Sequence, residues 1–352
     1  MGLCGHILCS PRYQLTTLLE HLVKIIGLLV GGVIWALANQ AASFSGEDLF
    51  KATVAKVRAY HPNGTVTLGS AVLSGGERLV TNCHVIATAQ SVQIVHNGRN
   101  WRAEVEAQDS NHDLCILRAA GVTGVAAVAA TSLTVGQKVF AAGFPGGNQF
   151  AVTAGRIVAL HDYDGAEVIQ VSSPFDYGAS GGGLFDEDGR LIGILTFKAR
   201  AGGEFHFALP IAWAKNLDRQ EPEQRSAEGT LAFWQQSYEK QPYFLRAASL
   251  EAGQKWGALG ALGEQWTKDS PMNPTAWIAL GTAFRHLQRP DEAHSAFGEA
   301  KLLALTQESQ RTHHARSLTY INTKVTGIRH AVSIALPGFD PTGIDVLGHA
   351  TK

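Results

Sequence analysis

The chain has 352 residues, 45% hydrophobic and 17% charged, which supplies apolar material for one well-packed core and a second, smaller unit. A formal charge of −1 without any basic run excludes the field that holds phosphates, so no nucleic acid is expected as a partner. No metal-ligand or nucleotide motif stands out, and the expected cofactors and metals are none.

Residues 25–38, IIGLLVGGVIWALA, carry no charge, follow Arg12 and Lys24, and close on Ala36-Leu37-Ala38, the small-x-small pattern of signal cleavage. The predicted element over 1–38 is an export signal. Left uncleaved, its charge-free window runs to Gly46, and 25–46 becomes a tilted membrane anchor. Cys4 and Cys9 precede the segment, so the exported chain keeps two cysteines, Cys83 and Cys115, in a compartment where disulfides persist.

From about residue 50 to 215, short apolar runs alternate with turn signals at the spacing of an all-β sandwich or barrel: ATVAKVRAY, TVTLGSAVLSGG, RLVTNCHV, SVQIVHNGRN, DLCILRA and RLIGILTF. The turns PNG, SGGE, HNGR, FPGGN and DEDGR supply the Gly, Asn and Asp that hairpins need for positive φ. Beyond about 220 the character changes. QEPEQRSAEG reads as a charged linker over 219–229, and a helical second domain follows over 230–308. Within it, 274–304 puts Trp277, Leu280, Gly281, Phe284, Ala293, Phe297 and Ala300 at the spacings of a tetratricopeptide repeat, with Gln288 where a turn glycine is usual and Leu305 where a closing proline is. The stretch before it, about 230–271, is helical in pattern but matches the repeat poorly. Residues 309–352 keep neither period and stay unassigned.

The densest chemistry lies in SPFDYGASGGGLFDEDGRLIGI, residues 172–193, where Ser180 stands among Gly178, Gly181, Gly182 and Gly183. Glycine frees the backbone for positive φ and close approach, which suits an exposed nucleophile beside converging N–H donors. Gly178-Ala179-Ser180-Gly181-Gly182 formally matches the nucleophile elbow of an α/β-hydrolase, but that fold needs an acid and a histidine far downstream on alternating strands and helices. Here the β-rich region ends soon after Ser180, and His206 is close behind it. The alternative order, His then Asp then Ser, is supplied upstream by His84 in LVTNCHVI and Asp113 in SNHDLCILR. Each directly precedes an apolar strand-like run, a setting that aims a side chain from a strand edge or loop into a cleft. His112, beside Asp113, reads as a solvated neighbour.

With TNCHV, HDLCIL and GASGGGLFDEDGRLIGI in this order over residues 50–215, the chain resembles the trypsin-like serine proteases, and within them the bacterial exported HtrA or Deg branch. FHFALPI, 205–211, looks like that branch's closing strand. The resemblance implies a double β-barrel, chymotrypsin-like protease domain over 45–218; beyond it the chain departs from the branch, with the all-α tetratricopeptide-like domain standing where PDZ domains are usual, which puts substrate delivery by PDZ in doubt. It implies Ser180 as nucleophile, His84 as general base, Asp113 as the carboxylate that fixes the imidazole tautomer, and the N–H groups of Gly178 and Ser180 as oxyanion hole. Ala179 stands where digestive relatives carry an aspartate that pairs with a freed N-terminus, so activation by that cleavage is not expected.

The same resemblance would line the primary substrate pocket with Pro174, Phe175, Tyr177, Thr196, Phe197 and Lys198, with Asp176 and Lys198 facing solvent. No carboxylate stands at Pro174, where trypsin's specificity aspartate falls, so a modest apolar side chain is expected there rather than a basic one. If His84 and Asp113 meet, their neighbours Cys83 and Cys115 lie on adjacent strands, and a disulfide between them is expected. The expected function is a serine endopeptidase acting on proteins or peptides, exported to the periplasm or secreted, with the helical repeat recruiting substrates or a protein partner. The competing expectation is a non-catalytic or latent scaffold that works through the helical domain. Contact with membrane is expected only if the N-terminal segment stays attached.

Overall fold

A computed structural model describes residues 46–129, 133–217 except 201–203, 231–307 and 309, without the side chains of 198–200 and 204. The predicted export or anchor segment, the linker 219–229 and nearly all of the tail 309–352 lie outside the described residues. The chain divides into a unit of residues 1–52 and a unit of residues 53–352. Of the first, the described part is the start of helix α1 (Gly46–Thr53), with Lys51 paired to Glu47 one turn back at 2.8 Å. Among the described residues no helix is long and apolar enough to cross a membrane.

The second unit is built on two closed six-stranded barrels, as in a chymotrypsin-like protease domain. The first contains β1 (Val54–Tyr60), β2 (Val66–Gly75), β3 (Arg78–Thr81), β4 (Ser91–His96), β5 (Arg99–Asp109) and β6 (Leu114–Arg118), in the order β1-β2-β3-β6-β5-β4. The second contains β7 (Lys138–Gly143), β8 (Ala151–Tyr163), β9 (Ala166–Val171), β10 (Gly183–Phe185), β11 (Leu191–Arg200) and β12 (Glu204–Pro210), in the order β10-β11-β12-β9-β8-β7. Alternation makes the strands: along β4, Val92, Ile94 and His96 are buried while the residues between them are not. The inward sets close two separate cores, one around Val57, Leu79, Ile94 and Leu117, the other around Val139, Ile169, Leu184 and Leu195. The β4–β5 hairpin turns through Asn97 (φ 47°) and Gly98 (φ 72°), two successive left-handed residues whose twist matches the flanking strands.

Strand register brings the two cysteines together. Thr81 pairs with Cys115 across β3 and β6, so the chain leaving β3 passes the residue that enters β6. Cys83 N–H accordingly donates to Asp113 O at 3.2 Å, and Cys83 and Cys115 are joined by a disulfide with Cα atoms 5.1 Å apart. His84 does not precede a strand: it sits in the one-turn helix α2 (Cys83–Ile86), with Val85 and Ile86 buried beneath it. Nor is His112 solvated. Nδ1 meets Asp109 at 2.6 Å, Nε2 meets Asp164 at 2.8 Å, and the ring stacks on Trp213 at 4.0 Å. Since Asp164 turns the β8–β9 hairpin and Trp213 lies in α3 (Ile211–Leu217), His112 ties the two barrels together.

The helical part differs from expectation at its start. Residues 231–242 are turns and a short 3₁₀ segment (Tyr238–Lys240) rather than helix. Pro242 disfavours helix before it, and Ala232 and Phe233 are buried instead. Helices α4 (Tyr243–Ala252), α5 (Trp256–Asp269), α6 (Pro274–His286) and α7 (290–307) come next. Asn273 caps α6 by accepting from Thr275 N–H at 2.9 Å, with Pro274 in the first turn, where its missing donor costs nothing. A methyl group on Gly281 would meet the Phe297 ring at 2.8 Å, so that glycine permits close contact between α6 and α7. Gln288, in the connecting turn, takes the left-handed conformation (φ 59°) that glycine adopts more cheaply.

Candidate active site

The two barrels meet along β2, α2, the Gly178–Gly182 bend and β11. His84 Nδ1 lies 2.6 Å from Asp113 Oδ2, and His84 N–H donates to Asp113 Oδ1 at 2.8 Å. Asp113 is only 1% exposed and adopts φ 57°, a conformation that strains a non-glycine residue and persists only where neighbours hold it. Three groups do so. Its own N–H bonds Ser110 O at 3.2 Å, while its carbonyl accepts from Cys83 N–H and, at 3.0 Å, from Asn82 Nδ2. Asn82 also donates to Thr196 Oγ1 at 3.0 Å, crossing from the first barrel to the second.

Ser180 enters from the second barrel in a bend that the first barrel grips. Ser70 of β2 is fully buried; its N–H donates to Ser180 O (2.8 Å), and its hydroxyl donates to Gly178 O (2.8 Å) while accepting from Phe144 N–H (3.0 Å). Gly178 has φ 86°, and a Cβ there would strike Phe144 O at 2.5 Å and Gly147 N at 2.6 Å, so only glycine fits. Within the bend Ala179 N–H bonds Asp176 O and Gly181 N–H bonds Leu195 O, whereas the N–H groups of Gly178 and Ser180 donate to no acceptor among the described residues. The Ser180 hydroxyl donates to Thr196 O at 3.1 Å rather than to His84.

His84 and Ser180 share one cavity of about 190 Å³ with Phe175, Asp176, Tyr177, Thr196, Phe197 and Trp234. Of the residues expected to line a pocket, Phe175, Tyr177, Thr196 and Phe197 do. Pro174 does not: its carbonyl accepts from Thr153 Oγ1 at 2.7 Å. Lys198 continues β11 opposite His206, and its side chain lies outside the described residues. Asp176 is exposed as expected, but at the rim of the cavity. His206, buried at 3% exposure, supports the floor by donating from Nε2 to Phe175 O at 3.1 Å.

Sequence reading missed Ser70, Asn82 and Trp234. Gly69-Ser70-Ala71, a run of small residues inside the strand-like TVTLGSAVL, was the available signal of a close backbone approach. Asn82 lies inside TNCHV, where the neighbouring histidine drew the only role. Trp234 gave no signal, because it lies beyond the barrels in the chain and reaches them only through the fold.

Residues 69–194 match the family model described as trypsin-like peptidase domain. A DegP-like probable periplasmic serine endoprotease of Buchnera aphidicola subsp. Baizongia pistaciae is 29% identical over 236 residues, covering 60% of this chain and 49% of the relative. The periplasmic pH-dependent serine endoprotease DegQ of Escherichia coli K12 is 32% identical over 167 residues, covering 44% of this chain and 37% of DegQ. The chain thus spans half or less of these relatives' length. Among solved structures, the HtrA-type protease AlgW with tripeptide aligns at 28% identity with a TM-score of 0.47, over 50% of this chain and 62% of AlgW. The Rv3671c protease of M. tuberculosis in its active form aligns at 24% identity with a TM-score of 0.48, over 53% and 88% of the two chains. Within the two-barrel fold, residues 69–194 therefore match a trypsin-like peptidase domain, and the chain is similar to DegP-like and DegQ serine endoproteases.

Proposed function

We propose that this protein is a serine endopeptidase that cleaves proteins or peptides through a Ser180 acyl-enzyme. The observation that carries the reading is the His84 imidazole, held through Nδ1 by the buried Asp113 carboxylate at 2.6 Å in the cavity that the Ser180 hydroxyl shares. With Nδ1–H donated to Asp113, the neutral ring keeps its lone pair on Nε2, the atom that takes the Ser180 proton as Oγ attacks the scissile carbonyl. The unclaimed N–H groups of Gly178 and Ser180 would receive the developing oxyanion, each donor lowering the barrier by about 3 kcal/mol. The amine leaves with the proton from Nε2, and water, deprotonated by the same nitrogen, then frees Ser180.

The cavity's size and its Phe175, Tyr177 and Phe197 walls favour a modest apolar side chain at the primary position. A strict Arg or Lys preference in a peptide library would count against that. The disulfide and the relatives' periplasmic names support an exported protein. The tetratricopeptide-like spacing of 274–304 and the Gly281–Phe297 contact support a helical domain that recruits a protein partner or substrate.

One observation favours a second reading. The Ser180 hydroxyl rests on Thr196 O, so the site is latent until that bond is exchanged for one to His84, or the protein acts as a scaffold. Labelling with a fluorophosphonate probe, read by intact mass, separates the two. One adduct on the wild type and none on Ser180→Ala or His84→Ala is the expected result. An unlabelled wild type, even with denatured protein added as substrate, would favour the scaffold.

A further inference from the structure

Trp234 belongs to residues 231–242, well beyond those that match the peptidase domain. Its indole Nε1–H nonetheless donates to Asp113 Oδ2 at 3.3 Å, the oxygen that also accepts from His84 Nδ1. The ring meets His84 edge-on at 5.4 Å and stacks on Phe197 at 5.1 Å with the planes 16° apart. The segment is fixed on both sides. Phe233, buried at 2% exposure, packs on Tyr163 at 4.7 Å and bonds Asn111 O through its N–H at 3.0 Å, while Gln241 Nε2 donates to Trp234 O at 3.0 Å.

Among the described residues no barrel side chain other than His84 donates to Asp113 Oδ2. Thr196 Oγ1, the nearby hydroxyl on β11, donates to Ile194 O at 3.0 Å and accepts from Asn82. Nor does the indole seal the site, since the His84 side chain keeps 26% exposure and Ser180 still lines the cavity beside it.

We infer that Trp234 is a positioning residue of this site: its N–H orients the Asp113 carboxylate that holds His84, and its ring extends the Phe197 wall against which the substrate lies. The inference rests on the serine-protease reading. Its physics is that a donor shared onto Oδ2 fixes the carboxylate plane and draws off part of its charge. Without that donor the carboxylate turns more freely and stabilises the charged imidazole more strongly.

The test uses the full chain and three forms: wild type, Trp234→Phe, which keeps a ring and loses the N–H, and Trp234→Ala. In Trp234→Phe, kcat should fall roughly tenfold with KM for peptides little changed, the loss of one hydrogen bond to a charged group. The acidic limb of its kcat/KM profile should move to higher pH. Its downfield proton resonance from His84 Nδ1–H should move further downfield. Trp234→Ala should add a rise in KM, because the wall is gone. A purely structural tryptophan would lower the melting temperature in both variants and leave the limb and the resonance where they are, which overturns the inference. So does faster probe labelling of Trp234→Ala, which would make the ring a cover over Ser180. If the wild type itself takes no probe, the serine reading fails on its own, and the His84 resonance in Trp234→Phe still decides for or against Trp234.

Discussion

Gly178 concentrates the demands on this site into one residue. It needs a left-handed backbone, has no room for a Cβ between Phe144 O and Gly147 N, and carries an N–H that no acceptor among the described residues claims. Gly178→Ala should therefore be destabilised, because the bend must turn away from the Phe144 and Gly147 backbone to admit the methyl group, and that turn withdraws the donor. Peptide hydrolysis should drop by roughly 10² to 10³, the cost of losing one oxyanion donor, while circular dichroism stays that of the wild type. An alanine variant with full activity would show that this N–H does no catalytic work. Ser70 acts at the same scale from the opposite barrel, as the buried hydroxyl that fixes the Gly178 carbonyl.

At the scale of elements, the Cys83–Cys115 bridge clamps α2 to β6, the two elements that carry His84 and, one residue before β6, Asp113. Its 32-residue separation makes it worth about 3 to 4 kcal/mol in the chain-entropy model. Replacing both cysteines with alanine should lower Tm by about 10 °C in a domain of this size. Calorimetry of the double variant beside the oxidised wild type measures it, and an unchanged Tm would mean that register alone holds the pair. Register is a strong competitor, because Thr81 already faces Cys115 across the ladder.

For the whole molecule, the decisive contact is the helical segment on the second barrel. Phe244 of α4 stacks on His161 of β8 at 4.4 Å with the rings 12° apart, and Phe207 and Phe233 complete the cluster. His161 is almost wholly buried, and Gln170, which meets its Nε2 at 2.9 Å, is a neutral partner. Burial therefore pushes its pKa down to about 4, against a partial rise from the Gln170 hydrogen bond. The unfolded chain binds the proton first as pH falls, so this contribution is intact above about pH 6.5 and is lost progressively towards pH 4, by about 3 kcal/mol. Urea midpoints at pH 7 and pH 4 should separate accordingly in the wild type, and less in His161→Phe, which keeps the stack without the titrating group. Equal separation in both would assign the acid sensitivity elsewhere.

Much of this molecule is readable from local sequence, and the reason is short range. Alternation and turn chemistry set the strand-rich half, since pleat and hairpin geometry depend on neighbours a few residues apart. The motifs around His84, Asp113 and Ser180 were legible because each candidate carries its own flanking pattern. The fold decided what depends on residues far apart. Ser70 supports Gly178 across the barrel seam, His112 binds a hairpin of the second barrel instead of solvent, and residues 231–242 give up helix to bury Phe233. Trp234 reaches Asp113 from 121 residues away, a meeting that no period or spacing encodes, because it depends on how the segment after the barrels packs on them and not on residues near either one in the chain.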